Sequence, residues 1–321
     1  MIAYALRRLV ASLLLIGLVL TATFFLVHLA PGEPAQLYEN PRMSPEARET
    51  MRASLGLDRP LLEQYVRWLG AMVRGDWGTS FDQRRPAFDV AIERLPATCL
   101  LVFAAVVLEH GVGILLGVAS ARRPDSIGDR VIGWSSLVAH SLPAFLVALV
   151  AIELFAVRMP IFPTQHMASD GAADLPALAR LADLLHHLAL PAITLAAVRF
   201  GAVVRFVRNG MLDVLGQDYI RAARARGVSE SRVLLFHALP NTLGPLIQRL
   251  GVALPALLSG TLVLEVIFSW PGVGWVAFRA ILARDLPVVL ATTALSAIFV
   301  VVGSLLADLL HAWLDPRVRD A

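Results

Sequence analysis

Residues 9–30 read LVASLLLIGLVLTATFFLVHLA and carry no ionisable side chain other than His28. These 22 residues, wound as a helix, are long enough to cross about 30 Å of hydrocarbon. Arg7 and Arg8 stand just before them. The apolar heart of a cleaved signal peptide is only about 7–15 residues long, so this run is expected to be retained as a first span. Backbone groups find no water in lipid, which leaves helices or closed barrels. The run lacks the alternation of a barrel strand, so a helix is expected.

Five further runs repeat the pattern, at 97–120, 131–157 (with Pro143 as a kink), 188–206, 243–268 and 286–313. Composition agrees. Hydrophobic residues make up 57% of the 321-residue chain and charged residues 17%, against about 25% charged in an ordinary soluble domain. One soluble core could not hide that much apolar surface. The expected fold is all-α: a polytopic membrane protein with six transmembrane helices. Its expected parts are 1–30 (N-terminus and first span), an extracytoplasmic segment 31–96, a five-helix core 97–313, and a tail 314–321. The segment 31–96 is expected to be ordered, with a helix from Ser44 to Leu55 capped by Ser44 and carrying Pro45 at its first position. Trp68 and Trp77 should sit near headgroups or in a small core.

Arginine placement sets the orientation. One side of the six spans holds Arg7, Arg8, Arg122, Arg123, Arg130, Arg205, Arg208, Arg221, Arg224, Arg226, Arg232, Arg317 and Arg319; the short loops opposite hold Arg158, Arg180, Arg279 and Arg284. The first side is expected to be cytoplasmic, with both termini on it. The nine arginines of 31–96 run against this count, but loops that long translocate with weak regard to charge. The net charge of +3 therefore reports topology, and no nucleic-acid partner is expected.

All 28 basic residues are arginine. Without lysine the chain has no Walker A loop and no Schiff-base chemistry. The single cysteine, Cys99, excludes an internal disulfide and a cysteine metal cage. No HExxH or GxSxG motif marks an intramembrane enzyme, and no internal repeat marks an ion-coupled carrier. The histidines His110, His140, His166, His186 and His187 show no ligand spacing, and no metal site is expected.

Between the fourth and fifth runs lies MLDVLGQDYIRAARARGVSESRVLLFHALPNTLGPLI, residues 211–247. Asp218 suits the start of a short helix, with Tyr219, Ala222 and Ala223 on one face and Arg221 and Arg224 on another. Gly227 suits a left-handed cap, Ser229 and Glu230 suit the start of a second helix, and Pro240 should end it. On physics alone this elbow is either a plain amphipathic connector on the membrane surface or a platform whose small residues let another backbone approach.

The same segment resembles the EAA signature of ABC-importer permeases, the membrane subunits of binding-protein-dependent uptake. That signature is E-A-A, three residues, Gly, nine residues, then I-x-L-P. Ala222, Ala223, Gly227, Leu239 and Pro240 match it, while Arg221 replaces the Glu and His237 the Ile. The run from Asp218 to Gly227 resembles the dipeptide, oligopeptide and nickel branch, whose permeases commonly lack the Glu. HLAPGEP (28–34), LGLDRPLLEQYVRWL (55–69), GDWGTSF (75–81), ERLPAT (93–98), VLEVIFSWPGVG (263–274), RDLPVV (284–289) and LDPRVR (314–319) resemble it in the same order along the chain.

The resemblance implies a permease architecture in the bacterial-type inner membrane, forming half of a translocation pathway for di- or oligopeptides. Nickel complexes, glutathione-like peptides and small glycans are the alternatives within the branch. It implies a second homologous permease, two ATP-binding subunits and an extracytoplasmic solute-binding protein as partners, besides membrane lipid. ATP and Mg would be used by the partner chains, and this chain would bind no cofactor and catalyse nothing. Asp218, Arg221, Ala222, Ala223, Arg224, Gly227, Leu239 and Pro240 would form the coupling loop (211–242). Trp270, Pro271 and Gly272 would face the outer gate or the binding protein, with an interfacial Trp anchor as the plainer alternative.

Charges inside apolar runs are expected to be functional or paired. Glu109, Glu153, Arg199 and Glu265 are the pathway candidates, and Arg199 could meet a substrate carboxylate or pair with Glu109 or Glu153. Arg249 and Asp308 lie nearer span ends.

Overall fold

The computed structural model describes residues 2–29, 44, 46, 49–50, 53, 56, 58–243, 246 and 261–314; the side chains at 2–6, 8–9 and 306–314 fall outside that description. Most of the fifth run, the Pro45 cap, residues 30–34, Arg249, the Asp308 side chain and most of the tail therefore lie outside the described residues. In chain order the helices are α1 (Ile2–Leu29), α2 (Leu61–Val73), α3 (Ala87–Ile92), α4 (Leu95–Arg122), α5 (Ile127–Ser141), α6 (Ala144–Ile152), α7 (Ala177–Ala197), α8 (Phe200–Leu215), α9 (Asp218–Ala225), α10 (Glu230–Arg232), α11 (Val273–Leu282) and α12 (Leu286–Leu314). A further helical stretch covers 261–267. The described residues form no sheet; a single bridge joins Thr79 and Pro86.

Among the described residues, four helical stretches are long and apolar enough to cross a membrane, at Val10–Leu29, Ala87–Arg122, Ala177–Ala197 and Leu286–Leu305. The third expected span is a broken pair: α5 and α6, the latter continued by a wide turn over Glu153–Arg158, meet at 102°. Pro143 is the cause. The residue before a proline is driven out of the helical region, and Leu142 is extended at φ −81°, ψ 135°. Pro143 then starts α6 from the position where its missing N–H costs nothing. The fourth expected span, 188–206, is also corrected. The helix runs from Ala177 to Ala197, and α8 starts afresh at Phe200, so Arg199 stands in the break between two helices. Counting the broken pair once, the described residues, which leave out most of the fifth expected run, hold up to five apolar crossings.

The chain divides into two compact units. The first comprises residues 1–96 and 272–301. Its core gathers Ala87, Val90, Ala91, Val273, Val276, Ala280, Val288, Val289, Ala291 and Leu295, with Trp77 packed against it. Trp68 stacks on Phe24 of α1 at 5.2 Å, so both tryptophans of this segment pack in protein. A tight loop over 78–87 is pinned by Asp285, whose Oδ2 accepts from Ser80 Oγ and, at 3.2 Å, from the Asp82 N–H.

The second unit comprises residues 97–271 and 302–321. Here α4 and α8 meet through glycines. A Cβ on Gly113 would lie 2.6 Å from Val203 Cβ, and one on Gly117 would lie 2.7 Å from Val207 Cβ. This is the small-xxx-small spacing that lets membrane helices approach closely. Gly201 of α8 lies equally tight against the backbone of Ser136 in α5.

Candidate coupling elbow and intramembrane charges

The elbow begins where Gln217, extended at ψ 151°, caps α9. Asp218 lies in the first turn and pairs with Arg221 at 3.3 Å, on a face where both are exposed. Helix spacing placed Tyr219, Ala222 and Ala223 together, but their surroundings differ. Ile220 and Ala223 are fully buried within the chain, whereas Tyr219 and Ala222 are exposed. The inward face of α9 is therefore the Ile220/Ala223 pair.

Gly227 ends α9 at φ +82°, with Gly227 N–H donating to Arg224 O and Val228 N–H to Ala223 O. A left-handed residue here suits glycine. Ser229 starts the second helix through its carbonyl, which accepts from Arg232 and Val233; its hydroxyl makes no capping bond. Glu230 turns back across the turn instead. Arg224 donates to it twice, from Nε at 3.0 Å and Nη2 at 2.7 Å. That fork holds the Glu230 carboxyl below its ordinary pKa. Arg221 also reaches Gly216 O, and Arg226 makes no ion pair among the described residues.

Pro240 does not end the second helix, which runs on through at least 243. The chain widens beforehand into a π-helical turn over Val233–Ala238, where Leu239 N–H bonds to Leu234 O five residues back. Widening removes the clash a proline ring makes with the carbonyl four residues earlier. Leu239 packs partly into the core formed by Met211, Leu234 and Ala238, and Pro240 is exposed. Asn241 donates to Tyr219 Oη at 3.1 Å, tying the two arms of the elbow a second time. Beside this link a cavity of about 620 Å³ is lined by Arg205, Asn209 and Asp213 of α8 with Asn241 and Thr242.

The elbow hangs from an ion pair that composition and spacing did not single out. Asp129 of α5 is 6% exposed and accepts from Arg208 of α8 through both oxygens, at 2.7 Å each. Its oxygens also accept from Ser120 Oγ of α4 and the Asp125 N–H, and its own N–H caps onto Ser126 Oγ. Three helices thus converge on one satisfied carboxylate. The available signal was a serine three residues before an acid, which marks a helix start.

The intramembrane candidates separate. Glu109 is buried and lies 3.6 Å from Arg199 Nε, which reaches it from the break between α7 and α8; among the described residues neither Glu109 Oε2 nor Arg199 Nε makes a hydrogen bond. Glu153 lies apart from them, exposed, in a pair with Arg158 at 2.8 Å. Glu265 is fully buried and accepts from Thr98 Oγ1 at 2.7 Å. Trp270 is also fully buried, and its indole donates to Ala97 O at 2.8 Å. An indole so enclosed does not serve as a headgroup anchor. Pro271 is half-buried, and Gly272, extended, caps α11.

Long apolar helices, charges paired between them and an arginine-rich elbow define a polytopic helical membrane protein. The chain belongs to the family described as the binding-protein-dependent transport system inner membrane component, which residues 113–320 match. Residues 1–102 match the N-terminal region described for the same transport-system membrane components. The chain is 40% identical over 321 residues to an oligopeptide transport system permease protein, AppB, of Bacillus subtilis, covering 99% of this chain and 100% of that one. It is 35% identical to a dipeptide transport system permease protein, DppB, of Lactococcus lactis, covering 99% and 100% of the two chains. The DppB of Escherichia coli K12 is 34% identical, with 99% of each covered. Among solved structures, the chain resembles one of the MetNI methionine ABC transporter in inward-facing conformations. The TM-score is 0.52 at 16% identity, over 70% of this chain and 96% of that one, a likeness of fold.

Proposed function

We propose that this chain is one of two related permease subunits of an ATP-driven importer, forming half of the pathway for di- and oligopeptides. Its elbow, 211–242, seats on a separate ATP-binding subunit that holds ATP and Mg, and a solute-binding protein delivers substrate from the other side. The chain itself is a non-catalytic subunit. Arginine placement supports an orientation with the elbow and both termini in the cytoplasm. A crossing over the fifth apolar run, 243–268, would complete six.

The observation that carries this reading is the shape of the elbow. Its inner face is closed by Ile220 and Ala223 and its turn is locked by Arg224 and Glu230, yet Tyr219, Arg221, Ala222 and Arg226 are left outward. A rigid body with an exposed small residue among cations can seat in an acidic cleft. It drives transport if the partner binds its two positions with different affinity. The names of the full-length relatives support the peptide class.

The test is ATPase activity of the complex reconstituted with its binding protein, assayed with dipeptides, longer peptides and nickel chelates. Stimulation by peptides is expected. Stimulation by nickel chelates alone would overturn the substrate class, and uptake by this chain without any ATP-binding subunit would overturn the reading as a whole.

A further inference from the structure

We propose that α2 is an interfacial helix, lying in the leaflet at the Leu29 end of α1 with one face among lipid acyl chains. Leu62, Val66, Leu69 and Val73 recur at i, i+4, i+7 and i+11, which puts them on one face. No residue of α2 is buried, and Leu62, Val66 and Val73 are 67%, 61% and 78% exposed. A stripe of large aliphatic side chains left open on an ordered, ion-paired helix needs a cover.

The occupant follows from what α2 is fastened to. Tyr65 Oη shares a 2.7 Å hydrogen bond with Thr21 Oγ1, and Tyr65 and Trp68 pack their rings on Phe24. Thr21 and Phe24 belong to the apolar span Val10–Leu29, whose Leu18, Leu26 and Leu29 are themselves 67–73% exposed, as side chains turned to lipid would be. Phe24 stands five residues before Leu29, or about 7–8 Å along the axis. Interfacial helices sink their apolar face about 5–10 Å. The aliphatic stripe lies next to the Tyr65/Trp68 face on the helix wheel, so it continues the lipid-facing surface of α1 sideways. Glu63 and Arg67, paired at 3.1 Å, lie across the helix from Tyr65, with Arg67 also bordering the cavity that Trp68 and Phe24 line, and Arg59 pairs with Glu63 at 2.7 Å. Tyrosine and tryptophan at this level match the aromatic belt of membrane proteins.

The experiment places single cysteines at positions 62, 63, 66, 67 and 73 of a Cys99→Ser chain. Each is spin-labelled and reconstituted with the full transporter complex in phosphatidylethanolamine/phosphatidylglycerol vesicles. Labels at 62, 66 and 73 should be relaxed several-fold more by dissolved oxygen than by a water-soluble nickel chelate, and labels at 63 and 67 should show the reverse. Equal access of the chelate to both sets would overturn the proposal. So would shielding of 62, 66 and 73 from both agents, which would put a protein on that face, the binding protein if the shielding appears only when it is added. A second measurement uses the unmodified chain. A lipid with a photoreactive group near its glycerol should label the peptides between Arg59 and Arg74, and absence of label there would also overturn the proposal. Transport activity enters neither readout, so failure of the importer assignment would leave both interpretable.

Discussion

Arg224 grips Glu230 through two hydrogen bonds that span the turn at Gly227. Both side chains are near half exposed, so the pair stabilises the chain by less than about 1 kcal/mol. Its effect is on shape. Glu230→Gln should leave the melting temperature of the complex almost unchanged while lowering substrate-stimulated ATPase activity several-fold. An unchanged stimulation ratio would deny the pair any role in coupling.

The same pair has a pH signature. Because Arg224 holds the Glu230 pKa below its ordinary value, the pair's contribution is present above the unfolded glutamate pKa of about 4.3. It is lost as pH falls through the lower folded value. Coupling measured between pH 6 and 8 should therefore carry no titration from Glu230, and Glu230→Gln should shift activity equally across that range. A mutant effect that grows toward pH 6 would contradict this.

Ala222 and Ala223 make a paired test. Ala223 is fully buried inside its own chain, so Ala223→Trp should damage the elbow itself and lower thermal stability. Ala222 is exposed, so Ala222→Trp should leave stability alone and abolish assembly with the ATP-binding subunit. Co-purification and melting curves separate the two. Full assembly of the Ala222 variant would show that this face does not dock.

Asp129 is the heaviest joint of the second unit. Asp129→Ala strips the partner from Arg208 and leaves Ser120 without its acceptor. It should cost about 3 kcal/mol, the lower end for a broken buried pair because Arg208 keeps 27% exposure. Denaturant unfolding in detergent measures it. A loss under about 1 kcal/mol would mean that water already screens the pair.

At Gly113 and Gly117 any side chain meets Val203 or Val207. Gly117→Ala should cost about 1–3 kcal/mol, and a compensating Val207→Ala should recover most of it. Absence of rescue would show that the helices do not rely on this approach.

The apolar runs located α4 and α12 to within two residues and the end of α1 to within one, because a long run in lipid has one solution; α1 starts seven residues early, its first turns carrying Arg7 and Arg8. The elbow was legible for the same local reason: Asp218, Gly227 and Glu230 each state a backbone preference. Other features depended on distant partners. The span containing Arg180, Asp183, His186 and His187 looks polar at its start, so its beginning at Ala177 was missed and Arg199 was placed inside a helix. Pro240 looked like a stop because the sequence does not show a turn that widens ahead of it. The burial of Trp270 depends on the carbonyl of Ala97, 173 residues away. The GILLG run at 113–117 was visible but overlooked, since small residues add little to a hydropathy count.

The right-angled break at Ser141–Pro143 bears on how the chain sits in a bilayer. Neither arm, α5 nor α6 with its wide turn, spans a bilayer alone, and the carbonyls freed at the corner cannot face hydrocarbon. Leu142 is exposed there, with His140 and Ser141 beside it. The corner needs a neighbour, either another protein surface or a pocket of water. A chain without such a neighbour would hold freed backbone carbonyls against lipid, where each costs several kcal/mol. The corner at Leu142 is then a place where this chain is incomplete as a lipid-facing surface, so covering it should stabilise the chain in a bilayer.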